Sequence, residues 1–120
     1  MEVRLPLGDV LDRITILRIK AWKTAGTTRE RLLVELQELV ERWEEAGLGS
    51  LPEEDDLEAV NNLLWEIEDN LRRHEKDQNF GEDFIQLARS VYRLNDRRAV
   101  LKRTISEKLG SDLIEEKIFS

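Results

Sequence analysis

Residues 82–109 read EDFIQLARSVYRLNDRRAVLKRTISEKL, with Gly81 just before them, Gly110 just after, and no glycine or proline between. Apolar residues recur in this stretch at spacings of three and four, the period of an amphipathic helix. Such a helix would be about 42 Å long. Placing residues every 100° puts Phe84, Ala88, Val91, Tyr92, Ala99 and Leu109 in one sector, together with the polar Asn95, Arg98 and Lys102.

The same periodicity continues outward from this helix. Ahead of the turn at residues 77–81, a helix over about 55–76 carries the stripe Leu57, Val60, Leu63, Leu64, Ile67, Leu71 and His74. Its outer side offers Glu68 to Arg72 and Asp69 to Arg73 at i,i+4 spacing. Residues 47–52 form a linker, and Glu53, Glu54, Asp55 and Asp56 suit the positive end of the helix that follows. A helix over about 28–46 opens with Thr27 and Glu30 spaced as a capping box, and carries Leu32, Leu33, Leu36, Leu39, Val40 and Trp43. The first helix, about 8–23, has Pro6 near its start, Gly26 beyond its end, and Val10, Leu11, Ile14, Leu17, Ala21 and Trp22 on one face. The expected fold is therefore all-α: one antiparallel four-helix bundle-like domain over residues 1–120. Its fourth helix overhangs the others, and residues 111–120 form a short tail.

Composition narrows the chemistry. The chain has 120 residues, 40% hydrophobic and 38% charged, room for a single core. It has no cysteine, which excludes disulfides, thiol catalysis and cysteine-ligated metals and fits a reducing cytoplasm. A single histidine, His74, rules out a multi-histidine metal site within one chain; at the end of an apolar stripe it reads as a packing residue. The formal charge of -7 opposes nonspecific nucleic-acid binding, and no stretch approaches the roughly 20 apolar residues of a spanning helix. The opening residues also lack the long apolar core of a signal peptide, so the expectation is a cytoplasmic protein without membrane insertion.

Three departures from simple amphipathicity mark candidate functional residues. Ile16 and Ile19 lie nearly opposite the main stripe of the first helix, so a second greasy face must meet neighbouring helices or another subunit; Arg18 lies at the edge of the main face. Arg98 and Lys102 share the apolar sector of the fourth helix, in a locally basic run with Arg89, Arg93, Arg97 and Arg103. They either pair with carboxylates of the second or third helix or form an anion pocket. Trp65 lies off its helix's stripe and must be covered by the fourth helix, by the tail's Ile118 and Phe119, or by a partner.

Glu41 and Glu44, with Glu66 and Asp69, resemble the carboxylate pairs of all-α nucleotide pyrophosphatases related to MazG, which hold magnesium through oxygen ligands. Over a greater length, residues 12–20 (DRITILRIK), 64–69 (LWEIED), 87–99 (LARSVYRLNDRRA) and 115–117 (EEK) resemble a family of short bacterial proteins known as a domain of unknown function. That resemblance implies a mostly helical fold and brings no established activity, cofactor or catalytic residue.

The leading expectation is a noncatalytic interaction module without cofactor. It pairs with itself or with another protein through Ile16 and Ile19 or through the overhanging fourth helix. The alternatives are a binder of a small anionic metabolite or nucleotide, using Arg18, Trp65, Asn95, Arg98 and Lys102, and a magnesium-dependent pyrophosphatase.

Overall fold

The structure is a computed structural model describing residues 4–110 and 112–114. In chain order the elements are β1 (Arg4–Pro6), α1 (Leu7–Lys23), α2 (Gly26–Glu45), α3 (Pro52–Lys76), α4 (Glu82–Leu109) and β2 (Asp112–Ile114). The all-α four-helix architecture is present, with one addition. β1 and β2 form an antiparallel ribbon pairing Arg4 with Ile114, Leu5 with Leu113 and Pro6 with Asp112. Three-residue strands are too short to show an alternating pattern, so this part of the tail carries no strand signal in the sequence. The rest of the tail, including Ile118 and Phe119, lies outside the described residues.

α1 is the central element and packs against α2, α3 and α4. Its Leu7, Val10, Leu11, Ile14 and Leu17 join Leu39, Trp43, Leu57, Val60, Leu64, Leu101 and Ile105 in the core. Each such side chain contributes about 1.5–3 kcal/mol when taken fully out of water. The start of α1 presses against α4: the Gly8 N–H donates to Ser106 Oγ at 2.9 Å, satisfying an N–H that has no partner within the helix. A Cβ built on Gly8 would lie 1.9 Å from the Lys102 carbonyl oxygen, so only glycine fits.

Several side chains lie elsewhere than the pattern suggests. Trp22, assigned to the main face of α1, is 83% exposed. It follows Ala21 by about 100° around the helix, and it borders a surface hollow with Arg18, Glu58 and Asn62. α2 starts at Gly26, after an extended Ala25 with no side-chain cap, so Thr27 falls inside its first turn with Glu30 just beyond it, and the expected capping box does not form. α2 packs chiefly against α1 through buried Leu39 and Trp43, leaving Leu33 exposed. The Trp43 indole N–H donates to the Gly49 carbonyl at 3.2 Å and holds the following loop against α2.

α3 begins at Pro52, three residues early, because proline's fixed φ and missing N–H suit a first helical position. In its first turns, Glu53 pairs with Lys108 of α4 and Glu54 with Arg18 of α1 at 2.9 Å. Leu63, placed on the core stripe by the sequence, is exposed; Asn61, which is not part of that stripe, is buried. The expected i,i+4 pairs are replaced by shorter steps: Arg72 bonds Asp69 at 2.8 Å and Arg73 bonds Asn70 at 2.6 Å. His74 closes the α3–α4 turn, its Nδ1 lying 2.9 Å from the Asn79 carbonyl and its ring beside Phe84, which packs edge-on against Phe80.

The face of α4 is rotated from the one read in the sequence. Leu101 and Ile105 are buried, with Val91, Leu94 and Leu109 packed against the core, whereas Ala88, Tyr92 and Ala99 are exposed. Beyond Leu64 in α3 and before Leu101 in α4 no side chain is fully buried, so the two helices continue as a two-helix arm. Gly110, with φ of +71°, ends α4 in the left-handed conformation that glycine adopts without strain.

Gly8→Ala is expected to lower folding stability by at least about 2 kcal/mol, because two backbones must separate. Gly49→Ala, where an added Cβ meets nothing within 4 Å, should stay within about 0.5 kcal/mol; urea unfolding of both variants measures the contrast. The Lys108 hydrogen bond, with help from a backbone N–H, holds the Glu53 carboxyl below its ordinary 4.5. The stability from this pair is then present above that value and lost as pH falls through the lowered one. Glu53→Gln should accordingly show a shallower decline in unfolding midpoint than the parent between about pH 5 and about pH 3.

Candidate functional site

The second face of α1 carries more than Ile16 and Ile19. Counted at 100° per residue, Asp12 and Thr15 fall within the same arc of about 100°, and both are buried. A carboxylate cannot be buried cheaply unless its oxygens are paired. Here Arg98 of α4 donates from Nε to Asp12 Oδ1 at 2.9 Å and from Nη2 to Oδ2 at 2.5 Å, a two-pronged contact. Asn61 of α3 donates from Nδ2 to the same Oδ1 and to Thr15 Oγ1, both at 2.9 Å. The Thr15 hydroxyl completes the network by donating to the Asp12 carbonyl at 2.7 Å. One residue pair on α1 thus bonds α3 and α4 together. The Asp12 hydrogen bonds push the Arg98 guanidinium above its ordinary range, against the opposing effect of burial.

The other cations singled out in the sequence are also paired. Lys102 reaches Asp9 at 2.9 Å, and Arg18 reaches Glu54 at 2.9 Å and Glu58 at 3.7 Å. For Arg98 and Lys102 the acids come from α1 rather than from the second or third helix. The reason is the rotation of α4, which turns both residues toward the first half of α1.

Beside the network is a cleft of about 200 Å³ at the junction of α1, α3 and α4. It brings together Ile16, Ile19, Trp65, Asn95 and Arg98, with Leu64 and Asn61 in its walls and Lys20 and Glu68 at its edge. Ile19 is only 5% exposed and Ile16 is half-buried, so neighbouring helices cover much of the second face of α1. Trp65 is half-buried, with Lys23 Nζ 5.9 Å from its ring centroid. Arg18 and Lys102 are not part of this cleft. Arg18 instead borders a hollow of about 320 Å³ between α1, the end of α2 and the start of α3, with Trp43, Glu44 and Glu54.

The carboxylates compared with magnesium ligands are not gathered. Glu41, Glu44 and Glu66 are exposed on two helices, and Asp69 is bonded to Arg72, which holds its carboxyl below the usual range. Among the described residues no group of three or more histidine, aspartate or glutamate side chains is placed to hold a metal ion.

Asp12, Thr15 and Asn61 escape a reading that looks for excess grease and cations. The signal for them is present: a carboxylate and a hydroxyl on the same face as two isoleucines require donors from the elements that cover that face. Asn61→Leu is expected to lower stability by about 1–3 kcal/mol in urea unfolding, because it removes a donor from two buried oxygens. Arg98→Lys should also be destabilised, since a single ammonium cannot span both carboxylate oxygens with the same geometry.

Comparison with known proteins adds one match. The model of a family described as a family of unknown function (DUF6165) matches residues 1–120, the whole chain. None of the curated proteins and none of the solved structures matches it.

Proposed function

With the chain belonging to DUF6165, a family of unknown function, we propose that it is a noncatalytic helical interaction module that pairs with a second copy of itself along α4. The observation that carries this reading is the bare side of that helix. Ile85, Ala88, Tyr92, Asn95 and Ala99 are all exposed and follow one another at alternating spacings of three and four, the seam spacing of a coiled coil. Ile85 is 40% and Tyr92 56% exposed, on an arm where α3 and α4 lack the cover of a third helix over their full length.

Charge placement supports a second copy as the occupant. Arg89, Asp96 and Arg103 flank the seam at seven-residue intervals, all exposed, and none makes an ion pair among the described residues. An antiparallel partner helix sets Arg89 of one copy against Asp96 of the other, twice by symmetry. Asn95 within the seam favours one register over its neighbours, as a polar seam residue does.

The other readings have less support. Arg18, Arg98 and Lys102 are neutralised by acids of the same chain, which weakens a site for phosphate groups built from them. Glu41, Glu44, Glu66 and Asp69 form no metal-holding group among the described residues, which leaves the pyrophosphatase reading with less support. A reducing cytoplasm suits a chain without cysteine, and no helix of the described residues is long and apolar enough to cross a membrane.

Sedimentation equilibrium at tens of micromolar should give twice the chain mass of 14.1 kDa. The double variant Ile85→Glu/Tyr92→Glu should sediment as a monomer with an unfolding midpoint close to the parent's, because both side chains are exposed. A monomeric parent at that concentration, or a double variant that still dimerises, overturns the proposal.

A further inference from the structure

We infer that the cleft between α1, α3 and α4 binds a small zwitterion with an apolar body, the chemistry of a free hydrophobic α-amino acid. The size of the cleft sets the class. At about 200 Å³ the cleft lies below the usual range of drug-sized pockets, which suits a compact ligand such as an amino acid better than a nucleotide, most of whose bulk would lie outside it.

The walls set the chemistry. Ile16, Ile19, Leu64 and Trp65 supply an apolar surface with one aromatic ring. Arg98 supplies a preorganised donor: Asp12 takes Nε and Nη2, while Nη1 makes only a 3.5 Å contact with Asn95. A guanidinium has five N–H donors in a planar fork, so the Nη1 edge retains capacity for a ligand carboxylate while the Asp12 side fixes the plane. At the cleft's edge, Lys20 and Glu68 are exposed, and neither side chain makes a hydrogen bond or ion pair among the described residues. The Arg98 guanidinium and the Glu68 carboxylate, close enough to interact electrostatically, match a ligand carrying both charges on neighbouring atoms. A purely anionic ligand would meet Glu68 and the nearby Asp12. The cleft is formed within one chain and shares only Asn95 with the α4 seam; Trp65, Ile16 and Ile19, whose signals are read below, lie outside that seam.

The test is a titration of the full chain with L-phenylalanine, followed by NMR through the Trp65 indole N–H and the methyl groups of Ile16 and Ile19. Saturable shifts at these three residues are expected. 3-Phenylpropionate, which lacks the ammonium, should bind at least about fivefold more weakly. Glu68→Gln, an exposed change that leaves the fold intact, should weaken phenylalanine by a similar factor and should not weaken 3-phenylpropionate, from which it removes a repelling charge. Trp65→Ala should weaken both compounds. The inference is overturned if neither phenylalanine nor leucine shifts these signals at about 10 mM, or if the two phenyl compounds bind equally well to the parent chain.

Discussion

Asp12 is a carboxylate inside a bundle of apolar helices, and its burial is affordable only because Arg98 and Asn61 reach it from two other helices. Breaking such a pair by removing one partner costs about 3–5 kcal/mol when it is deeply buried. The figure is smaller here because the Arg98 side chain keeps 28% of its surface. The pair's larger consequence is geometric. Hydrophobic burial alone would allow α4 to rotate or slide along α1, whereas a two-pronged contact fixes both its angle and its height. Gly8 reinforces the same register by letting the α1 and α4 backbones meet at Lys102.

That register explains what α4 presents to the outside. Turning Arg98 and Lys102 toward α1 brings Leu101 and Ile105 into the core and carries Ala88, Tyr92 and Ala99 outward. The helix then has one covered apolar face and one bare seam. The second face that Ile16 and Ile19 give α1 is largely covered within the chain, whereas Ile85, Tyr92 and Val100 of α4 stay exposed, as does Trp22 on α1. The same turn places Arg98 in the lining of a small cleft with Trp65, Ile16 and Ile19. The bare seam and the cleft are two outcomes of one internal constraint.

Much of the fold is legible in the sequence because glycine, proline and a period of 3.6 mark long helices plainly. α1 and α4 begin and end within a residue of their expected positions. What the pattern cannot resolve is rotation. With apolar residues spread around α4, a wheel places a stripe at the average of two faces, and neither Leu101 nor Tyr92 reveals which side the core will take. The capping box fails for a related reason, since Thr27 and Glu30 have the right spacing but Gly26 already begins the helix. Of the candidate residues, Ile16, Ile19, Trp65, Asn95 and Arg98 meet in one cleft, while Arg18 and Lys102 serve other contacts. Asp12 and Asn61 were hidden because a buried polar residue looks like a surface one until its partners are known.

The most direct measurement of this account is a double-mutant cycle on Asp12→Asn and Arg98→Gln, read by urea unfolding at neutral pH. A coupling of about 2–3 kcal/mol between the two positions is expected if this pair fixes how α4 lies on α1. A coupling below about 0.5 kcal/mol would mean that the two side chains act independently, and the constraint assigned to them would have to lie elsewhere.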